Sequence, residues 1–248
     1  MVPPEKEGED PGATRREVLK GTFGTALALA VGSNVLAVDA KAQGGGTVSA
    51  LNARQKAILD ELMKGNERYV SGKAGDHDLI AARKILAHGQ NPSTAIIRCA
   101  DSRVAPELVF DMALGELFVC GVAGNIPTDE IVASLEYAVS NLGTELIVVM
   151  GHSDCGAVGA ALSHQNSIDS LPGNLPGLLS QILPSVLAVG KTSDDALSAS
   201  IKRNAMDGAG RIPKMSTVVD SSIREGKVGI VSGVYDLSSG QFILSTPV

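Results

Sequence analysis

Apolar positions along the chain predict helices alternating with strands. Residues 52–70 carry apolar side chains at helical spacing, so we expect an amphipathic helix there. A second helix is expected from Thr128, which can cap its amino end, to about Leu142, with Gly143 as its stop. Short apolar runs rich in β-branched residues indicate strands. The expected strands are PSTAIIRC (92–99), GELFVC (115–120) and TELIVVMGH (144–152).

The remaining pattern predicts shorter helices and a terminal hairpin. Helices are expected in PELVFDMAL (106–114), in GAVGAAL (156–162) and over most of 175–226, and a β-hairpin in 227–245. Strands that alternate with helices form parallel sheets with right-handed crossovers. We therefore expect an α/β fold: a mainly parallel sheet flanked by helices, with an N-terminal helical arm and a C-terminal β-hairpin.

Composition agrees with such a fold and excludes one class of partner. Of the 248 residues, 44% are hydrophobic and 3% aromatic, and Trp is absent. The core must therefore consist mainly of aliphatic side chains, which suits a parallel sheet buried on both faces. The net charge is −6 and no basic run occurs beyond the extreme N-terminus, so nucleic acid is not an expected partner.

The first forty residues resemble a twin-arginine export signal. Arg15 and Arg16 precede an apolar run over 21–38, and Ala40-Lys41-Ala42 forms a small-x-small cleavage site. The resemblance predicts a signal peptide over 1–42 and a linker over 43–51, which leave one folded domain over 52–248. We expect a periplasmic or secreted protein without a membrane span after cleavage. An uncleaved anchor is the alternative, although the run is short and diluted by glycine.

Two motifs carry ligands typical of zinc. Cys99 follows one predicted strand, and His152 and Cys155 follow another, so the three should meet where ligands collect at the carboxyl edge of the sheet. One imidazole and two thiolates are a set that zinc favours. Cys120, within a predicted strand, is expected to be a buried apolar residue.

No fourth Cys or His accompanies these motifs. His77, His88 and His164, the other histidines, lie in polar or loop-like segments and are expected at the surface. A structural zinc site fills all four positions with protein ligands, whereas a catalytic site keeps one open for water. The sequence therefore favours a catalytic metal.

Asp101 and Arg103 occupy alternate positions after Cys99. On an extended stretch Asp101 points to the same side as Cys99, so it could be a fourth ligand or accept a hydrogen bond from a metal-bound hydroxide. The Arg103 guanidinium can hold Asp101 in a bidentate pair and keep it ionised. Taken alone, the Asp-Ser-Arg run is also typical of a surface turn with a weak ion pair.

The order and spacing of several segments resemble β-class carbonic anhydrases. These segments are CADSRVAPELVF, GELFVCGVAGN, EYAV, ELIVVMGHSDCGAV and GKVGIVSGVYDLSSGQ. The resemblance implies one Zn²⁺ per chain bound by Cys99, His152 and Cys155, beside an Asp101–Arg103 dyad. It also implies a homodimer or tetramer that converts carbon dioxide and water to bicarbonate and a proton through a zinc-bound hydroxide.

Further positions are similar to the plant-type subgroup of that family. Gln90 corresponds to a glutamine that orients substrate, and Phe118, Tyr137 and Gly156 are assigned to the carbon dioxide pocket. Ile96 stands where the allosterically inhibited subgroup carries Trp, so we expect water as the fourth zinc ligand.

Two departures from the family pattern concern substrate handling. Gly121 replaces an arginine that is frequent in the family, and Arg98 stands where a small residue is common. Arg98 could compete with Arg103 for Asp101 or point toward an interface. A zinc-binding member without carbonic anhydrase activity is therefore the alternative function.

Two further enzyme classes fit the motifs poorly. Residues 151–155, GHSDC, approach the nucleophile elbow of serine hydrolases, but Cys155 stands where glycine is needed and no Asp and His pair follows. A zinc deaminase would require H-x-E and P-C-x-x-C motifs, which the chain lacks.

Overall fold

The computed structural model describes residues 50–190 and 195–245. The predicted signal peptide and most of the linker lie outside these residues, so both assignments stay predictions. Within the described residues, no helix combines the length and hydropathy that crossing a membrane requires. The helices are α1 Ala53–Val70, α2 Leu79–Leu86, α3 Pro106–Val109, α4 Asp129–Leu142, α5 Gly156–Ser163, α6 Leu175–Leu179, α7 Leu183–Val189, α8 Ala196–Met215 and α9 Thr217–Arg224. The strands are β1 Thr94–Arg98, β2 Leu117–Gly121, β3 Leu146–His152, β4 Gly229–Tyr235 and β5 Phe242–Leu244.

The five strands form one sheet in the order β2-β1-β3-β4-β5. The first four run parallel, and β5 pairs antiparallel with β4, as the terminal hairpin predicted. Ile96 in the middle of β1 lies between Val119 of β2 and Val148 of β3. Because these strands are parallel, β1 and β3 end at the same edge of the sheet, which confirms the predicted α/β fold.

Helices cover both faces of the sheet. On one face, Ile58 and Leu62 of α1 and Phe110, which follows α3, pack with Ile96 and Val148. The other face packs against residues of α4, α8 and α9. A third apolar cluster joins α5, α7 and α8 around the carboxyl edge of β1 and β3. The predicted site therefore lies where the sheet meets this third cluster.

Helix α1 begins and packs as its sequence indicates. The Asn52 side chain accepts a hydrogen bond from the Gln55 backbone, and the Gln55 side chain accepts one from the Asn52 backbone, which forms a capping box. Gly65 allows close contact with the turn after α3, because a Cβ there would lie 1.8 Å from the Phe110 carbonyl oxygen. The amphipathic helix thus holds the segment that follows the Asp101–Arg103 turn.

Two features of the helical layer depart from the sequence prediction. Helix α2 was not predicted, because its eight residues are too short for a clear apolar period; Asp78 caps its backbone at Ile80 and Ala81. In the described residues after 175, the predicted helical stretch is divided into four helices. Proline occupies the first turn of both α6 and α7, where its missing N–H has no helical partner to lose.

Candidate metal centre

Three buried ligand atoms meet at the carboxyl edge of the sheet. Cys99 follows β1, His152 ends β3, and Cys155 precedes the first turn of α5. The two cysteine sulfurs and the imidazole nitrogen lie within 4.8 Å of one another. The strand order brings them together, since β1 and β3 are neighbours in parallel register. These residues could hold one metal ion.

The spacing of the two sulfurs suits a tetrahedral ion. The Sγ atoms of Cys99 and Cys155 are 3.9 Å apart. Two sulfurs bound to zinc at about 2.3 Å with tetrahedral angles would be separated by roughly 3.8 Å. The two thiols therefore already stand at a spacing that one zinc ion could bridge.

The imidazole presents an unpaired nitrogen to the same cluster. Nδ1 of His152 donates to the Ser153 carbonyl oxygen at 2.8 Å, which leaves Nε2 as the nitrogen with a free lone pair. That Nε2 is buried and has no hydrogen-bond partner. Buried polar atoms in folded proteins are normally paired. An orphaned nitrogen beside two sulfurs therefore fits a bound cation.

The electrostatics of the cluster favour a negative charge on sulfur. The hydrogen bond with Cys155 lowers the pKa of Cys99, and the nearby His152 imidazole and the Gly124 N–H act in the same direction. The pKa of Cys155 is raised by its hydrogen bond with Cys99 and by burial, so the two sulfurs share one charge. Burial lowers the pKa of His152, but the nearby Cys99 sulfur, together with the Ser153 carbonyl and the Asp101 carboxylate, raises it on balance. A cation would replace the protons that now balance these ligands.

Asp101 lies beside the cluster and is held by Arg103. Arg103 donates to Asp101 from its Nε at 2.9 Å, its Nη2 at 2.8 Å and its backbone N–H at 2.9 Å. These hydrogen bonds place the pKa of Asp101 well below its usual range, so the carboxylate is ionised. Its Oδ2 is 3.9 Å from the orphaned Nε2 of His152. The carboxylate thus faces the place that an ion would occupy.

Arg98 does not take part in this pair. Its Nη1 donates to the Cys99 carbonyl oxygen at 2.8 Å. A Cβ at residue 121 would lie 3.3 Å from the Arg98 guanidinium carbon, so Gly121 leaves room for that side chain. The two departures from the family pattern are therefore neighbours in space, on paired positions of β1 and β2.

The residues assigned to the substrate pocket are not all near the cluster. Gly156 adjoins Cys155, is exposed, and has no atom within 4 Å of an added Cβ, so the surface there is open. The Phe118 and Tyr137 rings lie together, with centroids 6.4 Å apart, and Tyr137 is 51% exposed. Phe118 pairs with Ala95, four residues before Cys99, which corresponds to roughly 13 Å along the strand.

Gln90 lies in an exposed connection before β1. Within one subunit, the structure therefore brings the metal ligands, Asp101, Arg103 and Gly156 together, but leaves Phe118 and Tyr137 at a distance. The roles assigned to Gln90, Phe118 and Tyr137 stay predictions.

One residue expected at the surface also makes a structural contact. The His77 side chain is 34% exposed, and its Nε2 lies 3.0 Å from Oδ1 of the buried Asp111, a contact that was not predicted. His88 is exposed, and His164 is partly buried with its Nδ1 against the Ala160 carbonyl oxygen. A loop histidine carries no local signal of a carboxylate that lies 34 residues further along the chain.

Two residues that adjoin the cluster escaped sequence analysis. The backbone N–H of Gly124 donates to the Cys99 sulfur at 3.3 Å. The Ser153 hydroxyl accepts from the Leu237 backbone at 2.9 Å and so ties the loop after β3 to the terminal hairpin. For Gly124, the only signal available in the sequence was a glycine in the turn that follows β2, the strand next to β1.

Comparison with known proteins assigns the family. A family model described as carbonic anhydrase matches residues 94–242. Carbonic anhydrase 2 of Mycobacterium tuberculosis is 35% identical over 199 residues, which cover 78% of this chain and 94% of the relative. A carbonic anhydrase of Pseudomonas aeruginosa is 36% identical over 168 residues, which cover 64% of this chain and 75% of the relative.

Solved structures of similar fold belong to the β class. The Coccomyxa β-carbonic anhydrase superposes with a TM-score of 0.59 at 25% identity, covering 77% of this chain and 82% of that one. A tetrameric β-carbonic anhydrase of Sordaria macrospora gives a TM-score of 0.58 at 25% identity, covering 76% and 96%. The metal-ligand cluster, the fold and these relatives together show that the chain belongs to the β-class carbonic anhydrase family.

Proposed function

We propose that the protein catalyses the zinc-dependent, reversible hydration of carbon dioxide to bicarbonate and a proton. One Zn²⁺ per chain would be held by Cys99, His152 and Cys155. The observation that carries the proposal is the buried, unpaired Nε2 of His152, which lies within 4.8 Å of two sulfurs and 3.9 Å from the Asp101 carboxylate. This donor set is one that zinc favours, and it leaves a fourth position for water.

When bound, zinc supplies Lewis acidity that lowers the pKa of a coordinated water and so provides a nucleophile near neutral pH. Two thiolates donate more charge than imidazoles, so we expect that water to be less acidic than in an all-histidine site, where its pKa is about 7. Metal ligands must be deprotonated, so Cys99 and Cys155 would hold the ion as thiolates and His152 as a neutral imidazole.

Asp101 orients the nucleophile. Its Oδ2 faces the cluster and is positioned to accept a hydrogen bond from the attacking oxygen, which would aim a lone pair at the substrate carbon. Arg103 occupies both carboxylate oxygens, keeps the group ionised and opposes its rotation toward the metal. This geometry supports water rather than Asp101 as the resting fourth ligand.

Substrate binding would involve a second subunit. The open surface at Gly156 gives a small, uncharged molecule access to the cluster. Phe118 and Tyr137 lie too far along the sheet to reach the metal ligands of their own subunit, so we assign them, with Gln90, to a pocket completed across a homodimer or tetramer interface. The Sordaria macrospora relatives are tetrameric.

Export by the twin-arginine route is part of the proposal. It is supported by Arg15 and Arg16 and by the small-x-small run over 40–42. Replacing both arginines with lysine should leave uncleaved precursor in the cytoplasm. Export and cleavage of that precursor at the normal level would contradict this assignment.

The deciding experiment is stopped-flow carbon dioxide hydration together with metal analysis. We expect one zinc per chain and a rate well above that of buffer alone. Cys155→Ser should lose both metal and activity, whereas Cys120→Ser, which changes a buried thiol on β2, should retain both. Stoichiometric zinc without hydration activity would instead support the alternative of an inactive zinc-binding member.

A further inference from the structure

A backbone hydrogen bond to one metal-ligand sulfur comes from the turn after β2. The Gly124 N–H donates to the Cys99 sulfur at 3.3 Å, and both groups are buried. A hydrogen bond to a metal-binding thiolate withdraws negative charge from the sulfur and fixes its direction, so it tunes both affinity and electronic character of the site. The position of this N–H therefore matters for any ion bound there.

The conformation of Gly124 is one that other residues would not adopt here. Its φ is +77°, and an added Cβ would lie 2.5 Å from Cδ1 of Ile182, which follows α6. Glycine also has the widest conformational freedom of any residue, so its own backbone gives little resistance to rotation of the N–H away from the sulfur. Within the turn, the Asn125 N–H donates to the Val122 carbonyl oxygen at 3.0 Å, which leaves the Gly124 carbonyl available for an external contact.

Asn204 of α8 supplies that contact. Its buried Nδ2 donates to the Gly124 carbonyl oxygen at 2.8 Å, across 80 residues of sequence. One residue of the turn is thus held on both sides: its carbonyl by Asn204 and its N–H by Cys99. Fixing the carbonyl restricts ψ of Gly124, and the turn as a whole then keeps the N–H directed at the sulfur.

We propose that Asn204 is a positioning residue of the metal centre, which fixes the Gly124 carbonyl and so steadies the turn that holds the Gly124 N–H hydrogen bond on the Cys99 thiolate. The proposal rests on the metal binding proposed above. Without the Asn204 amide, the turn relaxes, the sulfur loses part of this hydrogen bond, and the thiolate becomes more electron-rich and less well directed.

Asn66 provides a matched control for a purely structural role. It is another buried asparagine on a helix, and its Nδ2 donates to the Val109 and Gly240 carbonyl oxygens at 2.9 and 2.8 Å. These partners lie at the end of α3 and in the terminal hairpin, and neither contacts a metal-ligand sulfur through a described hydrogen bond. Asn66→Ala should therefore lower stability without changing the electronic state of the metal site.

The test compares wild type, Asn204→Ala, Asn204→Leu and Asn66→Ala as full chains. Asn204→Leu approximates the side-chain volume and lacks the donor. Zinc affinity is measured by chelator competition, and the thiolate-to-metal charge-transfer band is recorded after substitution with Co²⁺. We expect both Asn204 variants to bind zinc about 10-fold more weakly, at the lower end of the range for residues that support metal ligands. Their charge-transfer band should move to longer wavelength, while Asn66→Ala keeps the wild-type band.

Unchanged affinity and an unchanged band in the Asn204 variants would overturn the inference. It would also be overturned if Asn66→Ala moved the band equally, or if neither Asn204 variant folded while Asn66→Ala did, since either result assigns Asn204 a structural role. Failure of wild type to bind zinc or Co²⁺ would instead contradict the proposed function, so the two failures are distinguishable.

Discussion

Two of the aspartate–arginine ion pairs among the described residues, Asp101–Arg103 and Asp111–Arg68, differ in what their carboxylates face. Asp101 is bound by Arg103, two residues away, and its side chain is 18% exposed beside the metal-ligand cluster. Asp111 is bound by Arg68, 43 residues away, and its side chain is 3% exposed. The first pair faces an orphaned imidazole nitrogen, whereas the second is enclosed by its own donors.

The donors around Asp111 explain why it is structural. Besides Arg68, its carboxylate accepts the Gly75 backbone N–H at 2.9 Å and contacts the His77 Nε2 at 3.0 Å. These bonds join α1, the loop before α2 and the turn after α3. Asp101 has one arginine as its partner and keeps a face toward the cluster. An Asp–Arg pair therefore indicates chemistry only when the carboxylate retains an uncommitted direction.

Asp101→Asn tests the Asp101–Arg103 pair and should have the largest effect, on the rate of carbon dioxide hydration. The amide keeps the shape but loses the charge that orients the nucleophile, so carbon dioxide hydration should fall by about 100-fold or more. Zinc content and the free energy of unfolding should change little, because Asp101 is not among the clustered ligands. Stopped-flow rates, metal analysis and urea unfolding measure the three quantities. A near-normal rate at neutral pH would refute the assigned role.

Asp111→Asn tests the Asp111–Arg68 pair and should lower stability while leaving activity nearly unchanged. Removing a buried charge bound by three donors should lower the free energy of unfolding by about 2 kcal/mol, within the range for hydrogen bonds to charged groups. The specific activity of the folded protein should stay within about two-fold of wild type, since this residue contacts no metal ligand. A large loss of activity with normal stability would show that the two pairs are not distinct.

Arg103→Lys tests whether the Asp101–Arg103 pair depends on charge alone or on hydrogen-bond geometry. Lysine keeps the charge but cannot reproduce the two parallel hydrogen bonds of the guanidinium, so Asp101 becomes free to rotate. We expect roughly a 10-fold loss of hydration rate, as for other residues that orient a metal-site group. Steady-state kinetics should show the loss mainly in kcat. Full activity of Arg103→Lys would mean that a positive charge at residue 103 is sufficient to position Asp101.

The dependence of the free energy of unfolding on acid pH should give the smallest effect. The Arg68 hydrogen bond is the main cause that lowers the pKa of Asp111 in the folded protein. Its stabilisation is therefore present above the unfolded pKa of about 3.9 and is lost as the pH falls through the lower folded value. The difference in unfolding free energy between wild type and Asp111→Asn should be at its full value near pH 5 and shrink below about 4. A difference that persists unchanged at lower pH would contradict this linkage.

Local patterns in the sequence were sufficient to predict most of the helices and strands. The apolar period of α1, the Thr128 and Gly143 ends of α4 and the β-branched run of β3 each depend on neighbouring residues. Helix α2 escaped prediction because eight residues provide too few turns to establish a period. The same locality explains the Asp101–Arg103 pair, whose members lie two residues apart.

The sequence alone determined which residues could meet at the metal centre. Cys99 and His152 lie at the ends of parallel strands, and a parallel sheet places such ends at one edge. Only the tertiary structure decided how that centre is held: Asn204 reaches Gly124 across 80 residues, and Arg98 fills the space left by Gly121. The parallel direction of the strands follows from local patterns and general topology, whereas a contact between side chains of distant elements depends on packing distances that no local pattern records.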